Sequence, residues 1–481
     1  MTSQFPSDFD TTSHPPPPSR LRRGARLFVD ALRGRGGSPT EGPLTAAILM
    51  LAIPMVLEMV MESVFAVVDI FWVSRLGAEA VAAVGLTESL IIMVYTVAMG
   101  LSIGVTATVS RRSGEGDTEG AAVATSQGIL LGSLVGVVFG VVGVTQGPAL
   151  LRLMGADAAV VAVGSGYIRV LMGMNVVIVL LFLLNAAFRG AGDAAIAMRV
   201  LWLANGLNLV LDPLLIFGIG PFPEMGVTGA AVATTIGRGT AVGVQLYTLL
   251  RISDRLRMAM HHLRPRLDVM ARLVGLSATG TLQIFIGTAS WVGLVRVVSS
   301  FGPEAVAGYT VAIRVVLFAL LPAWGLSNAA ATMVGQNLGA GHPDRAEASV
   351  WRACLMNEAF LGSVGIVFVI FAPGLVGLFG VDAVTSGYAV DGLRIVSAGF
   401  FFYAFGMTVT QAFNGAGDAW TPTWLNLFCF WLWEVPLAWV LSFRLGMGPR
   451  GVFIAIAVAY GTLAVASSLL FRRGRWKEKE V

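Results

Sequence analysis

Three carboxylates stand within one apolar run near the start of the chain, at Glu58, Glu62 and Asp69. On a helix turning about 100° per residue, Glu62 lies about 40° from Glu58, and Asp69 about 20° from it. The three share one narrow face that rises about 16 Å. A charged strip of that length cannot face hydrocarbon, so it lines a cavity or meets polar partners. Carboxylates so placed are costly and usually functional. A later apolar run carries Asn205, Asn208 and Asp212, the last two one helical turn apart. Thr234, in the run after that, adds a hydroxyl. Two carboxylates, amide oxygens and a hydroxyl form a hard-oxygen set suited to Na⁺. They suit a proton equally, held on a carboxyl shielded from water beside a second acid. The residue types leave both open. Asp69, Asn208, Asp212 and Thr234 are the candidates for ion coupling, with Asp69, Asn208 and Asp212 as the Na⁺ ligands if the ion is a metal.

Such side chains need helices that cross a bilayer. Of the 481 residues, 56% are hydrophobic and 12% charged, and the mean hydropathy is +0.78. Soluble domains carry about 25% charged residues, so lipid is the solvent this composition fits. Apolar stretches of span length fall at roughly 46–73, 84–110, 121–145, 160–188, 199–219, 226–249, 273–299, 306–334, 346–371, 389–413, 422–443 and 451–471. The expected fold is an all-α polytopic membrane protein with twelve transmembrane helices. Cys354 and Cys429 lie far apart in apolar segments and imply no disulfide framework. The HExxH, GxSxG, Walker A and Rossmann signatures are absent, so neither enzyme chemistry nor ATP drive has a basis. None of the histidines, His14, His261, His262 and His342, falls inside a span. No cofactor is expected beyond H⁺ or Na⁺ as coupling ion.

Arginine placement orients the spans. One side collects Arg111, Arg112, Arg189, Arg199, Arg345 and Arg352, the connector from Arg251 to Arg272, and the tail from Arg472 to Lys479. The other side has only Arg75, Arg152, Arg296, Arg444 and Arg450. The positive-inside rule therefore places both termini in the cytoplasm, with the chain in a plasma membrane, the inner membrane in a bacterium. Residues 1–44, rich in Pro and Arg, are expected to form a disordered basic tail. They read as a topology determinant, with no nucleic-acid partner. An N-lobe at 45–250, a basic connector at 251–272, a C-lobe at 273–471 and a tail at 472–481 follow.

The two-lobe division rests on an internal repeat. Gly77-Ala78-Glu79-Ala80-Val81-Ala82 returns as Gly302-Pro303-Glu304-Ala305-Val306-Ala307, and Gly100-Leu101-Ser102 as Gly325-Leu326-Ser327. Gly190-Ala191-Gly192-Asp193 returns as Gly415-Ala416-Gly417-Asp418, and Gly226-Val227 as Gly451-Val452. Every pair is offset by 225 (302 − 77, 325 − 100, 415 − 190, 451 − 226). Six spans per repeat is an even number, so the repeats run parallel, related by an axis along the membrane normal. A cleft between two such lobes gives alternating access when they rock. The second lobe does not copy the acids: Asp69 maps to Leu294 and Glu58 to Gln283. Glu58, Glu62, Asn205 and Gln283 are the candidates for lining a substrate cavity. Glu434 and Arg314 are isolated charges in spans eleven and eight, for which a buried structural ion pair, with each other or with other groups, stands beside a substrate role.

Several stretches resemble the multidrug and toxic-compound extrusion family. They are Ala52-Ile53-Pro54, Val68-Asp69-Ile70-Phe71-Trp72-Val73-Ser74-Arg75-Leu76-Gly77, Asn208-Leu209-Val210-Leu211-Asp212-Pro213, Gly226-Val227-Thr228-Gly229-Ala230-Ala231, and Val334-Gly335-Gln336-Asn337-Leu338-Gly339. The likeness runs from about residue 45 to 470. It implies a secondary active efflux transporter that exchanges organic cations or other amphipathic drugs against H⁺ or Na⁺. It also implies the branch whose cation site lies in the first lobe, at positions matching Asp69, Asn208 and Asp212. The expected partners are small amphipathic or cationic substrates and membrane lipids, and the expected state is a monomer. Glu58 and Glu62 are acids outside the family pattern. The alternative is a flippase of lipid-linked substrates on a related fold, and the acidic candidates favour cationic or neutral cargo instead.

Overall fold

The computed structural model describes residues 20–481, which fold into helices joined by short turns. Residues 1–19 of the expected tail lie outside the described residues. The rest of that segment differs from expectation. Arg20–Arg33 forms helix α1, which packs on the first span and buries Ala31 completely. Leu27 and Leu32 are half-buried in this basic stretch, whereas Phe28 and Val29 stay exposed.

The first half runs α2 (Leu44–Val73), α3 (Ala78–Gly114), α4 (Thr118–Leu153), α5 (Ala158–Gly173), α6 (Asn175–Gly190), α7 (Ala194–Phe217) and α8 (Val227–Arg251). The second runs α9 (Leu267–Val298), α10 (Pro303–Gly339), α11 (Pro343–Gly377), α12 (Ala383–Ala398), α13 (Phe400–Gly415), α14 (Trp420–Asn426), α15 (Val435–Trp439) and α16 (Pro449–Arg472). Two π-helical stretches, Leu427–Glu434 and Val440–Arg444, join α14 and α15 into one span ending at Arg444. Among the described residues, nine helices are long and apolar enough to cross a membrane. The pairs α5–α6 and α12–α13 each make one further span, bent by 42° and 57°. The sixth expected span is α8, where Gly, Thr and Arg238 dilute the hydropathy of 25 residues below that of the others.

The repeat is carried into the backbone. Helices α3 and α10 start 225 residues apart (303 − 78), as do α4 and α11 (343 − 118) and α5 and α12 (383 − 158). Glycines with positive φ recur at the same offset, Gly77 with Gly302 and Gly192 with Gly417, because the turns between spans need the left-handed region. The N-cap aspartates Asp157 and Asp382 repeat too (382 − 157), each accepting a backbone N–H of the first turn. Outward faces such as Leu134, Val138 and Val141 on α4, and Ile366, Ile370 and Phe371 on α11, are apolar and exposed, as lipid contact requires.

Within the first half, α2 packs on α7, α3 on α6 and α7 on α8; within the second, α10 packs on α11, α12 and α13. Between halves, α2 meets α10 and α3 meets α9 and α10. The connector is clamped to α4 by Gln127, whose Nε2 donates to the His262 and Arg264 carbonyls and whose Oε1 accepts from Arg266 N. Glu119 on α4 receives the Nε2 atoms of His262 at 2.8 Å and His261 at 3.4 Å. His262 Nδ1 accepts the Ala259 N–H, so its ring proton sits on Nε2, toward Glu119.

Candidate functional site

Small residues decide where the halves close. A Cβ on Gly114 would fall 2.0 Å from the Gln336 carbonyl oxygen, and one on Gly339 2.1 Å from that of Arg111. Only glycine lets α3 and α10 cross so closely. Gln336 Nε2 donates to the Gly190 carbonyl at 2.7 Å across the same junction. Arg111 Nη2 donates to the Lys479 carbonyl at 2.5 Å, and Arg345 and Arg352 reach Glu41 and Thr45. These hydrogen bonds between halves all lie at the basic face. Trp476, fully buried and stacked on Phe471 at 4.4 Å, anchors the tail segment there. Glu347 and Asp344 receive Lys477 Nζ at 2.6 and 3.4 Å, and the bond to Glu347 chiefly holds its ammonium above the ordinary lysine range. At the opposite end, Glu88 on α3 and Arg314 on α10 are exposed and within electrostatic reach, but too far apart for an ion pair.

Above the closed end lies a cavity of ≈ 270 Å³ between the halves. Its lining follows the repeat: Met59 opposes Ile284, Met99 opposes Trp324, Ile103 opposes Asn328 and Arg189 opposes Asn414, each offset by 225. Glu58 and Glu62 line it, as their shared face predicts. Neither is a free acid. Glu58, 1% exposed, accepts from Arg189 Nη1 at 2.9 Å and from Asn185 Nδ2 at 3.1 Å. Asn185 Oδ1 in turn accepts from Gln245 Nε2. Glu62 accepts from Arg238 Nη2 at 3.1 Å and from Asn205 Nδ2 at 3.3 Å. Arg238 also donates to the Tyr95 hydroxyl at 3.0 Å.

The candidate ion site lies beside this cavity, in the first half. Asp212 is fully buried, and its Oδ1 accepts from Asn208 Nδ2 at 3.1 Å. The same Nδ2 donates to Thr234 Oγ1 at 3.1 Å. Helices α7 and α8 thus bring together three of the four predicted residues. Asp212 Oδ2 and Asn208 Oδ1 are buried without a hydrogen-bond partner. Two orphaned oxygen acceptors in one network fit a proton or a hard cation. Asp69, 9% exposed near the end of α2, makes no hydrogen bond to this network but lies within electrostatic reach of Asp212, Glu88 and Arg238. Tyr167, buried on α5, lies within electrostatic reach of Asp69, Glu88 and Asp212.

Two cavity candidates sit elsewhere than expected. Asn205, 1% exposed, serves as a donor to Glu62 rather than as part of the cavity wall. Gln283 is buried away from the lumen with Oε1 unpartnered, because the rotation of α9 presents Ile284 there instead. Among the described residues, Glu434 and Arg314 form no ion pair: Glu434 is buried on a π-helical turn near Tyr309, Tyr403 and Tyr460, and Arg314 is exposed. Arg189, Arg238, Asn185 and Asn414 also line the cavity; the sequence reading leaves the last three without a role and counts Arg189 only among the arginines of the basic side, whereas it turns inward to Glu58. Arg238 gives a signal, a charge inside an apolar helix. Asn414 gives one too, because it stands 225 residues after Arg189.

The MatE family model matches residues 54–214 and again 282–440, one match in each half. A Thermotoga maritima protein described as probable multidrug resistance protein NorM is 24% identical, covering 90% of this chain and 93% of its own. A solved MOP-superfamily transporter from Pyrococcus furiosus, described as having a binding pocket of reverse polarity, is 27% identical with a TM-score of 0.85. That likeness covers 94% of this chain and 99% of the other. An outward-facing multidrug resistance MATE transporter of the same superfamily is 28% identical with a TM-score of 0.84, covering 93% and 97%.

Proposed function

This chain belongs to the MatE family, and from that premise we propose that it exports amphipathic small molecules by antiport against H⁺ or Na⁺. The relative and the solved transporter that are both named for multidrug resistance support that direction of transport. The single observation that carries ion coupling is the pair of unpartnered buried oxygens, Asp212 Oδ2 and Asn208 Oδ1, within electrostatic reach of Asp69. A proton or Na⁺ there would relieve repulsion between two carboxylates and complete the hydrogen-bonding or ligand shell. For Na⁺, the oxygens of Asp69, Asn208, Asp212 and Thr234 are the ligands this half offers.

Arg238 links the two sites. It bonds Glu62 and Tyr95 in the cavity, and its charge reaches Asp69. Neutralising Asp69 strengthens the hold of Glu62 on Arg238, so loading the ion alters the cavity wall. The halves then rock about the junction at the basic face, which the positive-inside rule places in the cytoplasm together with both ends of the described chain. The protein works as a monomer in the plasma membrane, the inner membrane of a bacterium. The relatives named for multidrug resistance favour this reading over the flippase alternative.

Transport in proteoliposomes, with the pH and Na⁺ gradients imposed one at a time, tests the proposal. Uptake of a rhodamine dye driven by one gradient and abolished by dissipating it is expected. Uptake indifferent to both gradients would overturn antiport.

A further inference from the structure

Four charged side chains line the cavity, Glu58, Glu62, Arg189 and Arg238, two of each sign. Each carboxylate already holds an arginine, at 2.9 Å for Glu58–Arg189 and 3.1 Å for Glu62–Arg238. Asp69 and Asp212 do not line this cavity. The wall from the second half is uncharged, with Trp324, Asn328, Thr332 and Asn414. Thr332 Oγ1 and Asn414 Oδ1 are buried there without a partner, as is Glu58 Oε2 on the opposite wall.

We propose that this cavity selects a net-neutral amphipath, zwitterionic or uncharged, and discriminates against a permanent lipophilic cation. The proposal rests on the transporter reading above and corrects the cationic cargo expected from the acids alone. A cation entering the cavity gives up its water and meets no free anion. To gain Glu62 it must displace Arg238, leaving a buried guanidinium unpaired, and such an exchange is unfavourable. A zwitterion brings its own counter-charge and lies along the Arg–Glu dipoles without breaking either pair. Hydroxyl or amide groups on the cargo meet Asn328 and Gln411, half-buried uncharged polar side chains of the second-half wall. Tyr95, Phe182 and Trp324 take its aromatic part.

The test compares two rhodamines with one ring system: the ethyl ester, a permanent cation, and the free acid, a zwitterion. Binding to the full chain in lipid nanodiscs is followed by fluorescence polarisation, and uptake is followed in proteoliposomes. The zwitterion is expected to bind at least about tenfold tighter. Arg238→Gln exposes the charge of Glu62, whose side chain is 33% exposed, and should reverse the order by raising cation affinity about a hundredfold. The double variant Glu62→Gln with Arg238→Gln restores a neutral wall and should return to the original preference. Equal or tighter binding of the cation by the unaltered protein would overturn the proposal, as would binding of neither dye. An unchanged order in Arg238→Gln would do the same. Should the zwitterion bind tighter yet respond to neither gradient, the selectivity stands and the antiport reading falls.

Discussion

At the residue scale, the two acid sets behave differently because their surroundings differ. Asp69 has no hydrogen-bond partner among the described residues, whereas Glu58 is held by Arg189 and Asn185. Asp69→Asn should insert and fold normally but lose gradient-driven uptake by at least about tenfold, because an amide cannot gain and lose the coupling charge. Asp212→Asn should move in the same direction. Wild-type uptake by Asp69→Asn in proteoliposomes would contradict the assignment. Glu58 and Arg189 make a different, asymmetric prediction. Arg189→Ala strands a carboxylate that is 1% exposed and should cost about 3–5 kcal/mol of stability. Glu58→Gln keeps an acceptor for Asn185 and should cost less. Thermal unfolding in detergent reports the difference, and equal losses would count against a buried charge pair.

At the element scale, the glycine crossing of α3 and α10 forms the seal at the basic face. Gly114→Ala puts a methyl 2.0 Å from a backbone carbonyl, which no side-chain rotation relieves, so the helices must separate there. Spin labels at Arg112 and Ala340 should show a longer, broader distance distribution in Gly114→Ala. Gly85→Ala, on the same helix with open space around its Cβ, should leave the distribution unchanged. An unaltered distance in Gly114→Ala would mean that the seal lies elsewhere.

At the scale of the whole molecule, the hydrogen bonds between halves gather at one end, and the exposed Glu88 and Arg314 stand apart at the other. That polarity is what a rocking pair of rigid halves needs. Ser74 and Ser299 are equivalent positions (299 − 74 = 225), both exposed at the end away from the seal. A disulfide between cysteines placed there should stop uptake, and reduction should restore it. Undiminished uptake with the bridge shown to be formed would rule out rocking of rigid halves and favour local helix bending.

What the sequence determined by itself is whatever local spacing or the repeat encodes. The span lengths, the 225-residue offset, the turn glycines and the Asn208–Asp212 pair, one helical turn apart, all follow from neighbours along the chain or from translation by one repeat. The shared face of Glu58 and Glu62 is also a matter of helical period alone. What only the tertiary structure decided is the charge state of the cavity. Arg189 reaches Glu58 across 131 residues, and Arg238 reaches Glu62 across 176. Those separations follow from how α2 sits against α6 and α8, which no spacing records. The same holds for Asn205, turned to Glu62, and for Gln283, displaced from the lumen by the rotation of α9. An acid in a span reads as an unpaired anion until the packing of other helices supplies its partner, because a buried charge is defined by what stands within a few ångströms of it.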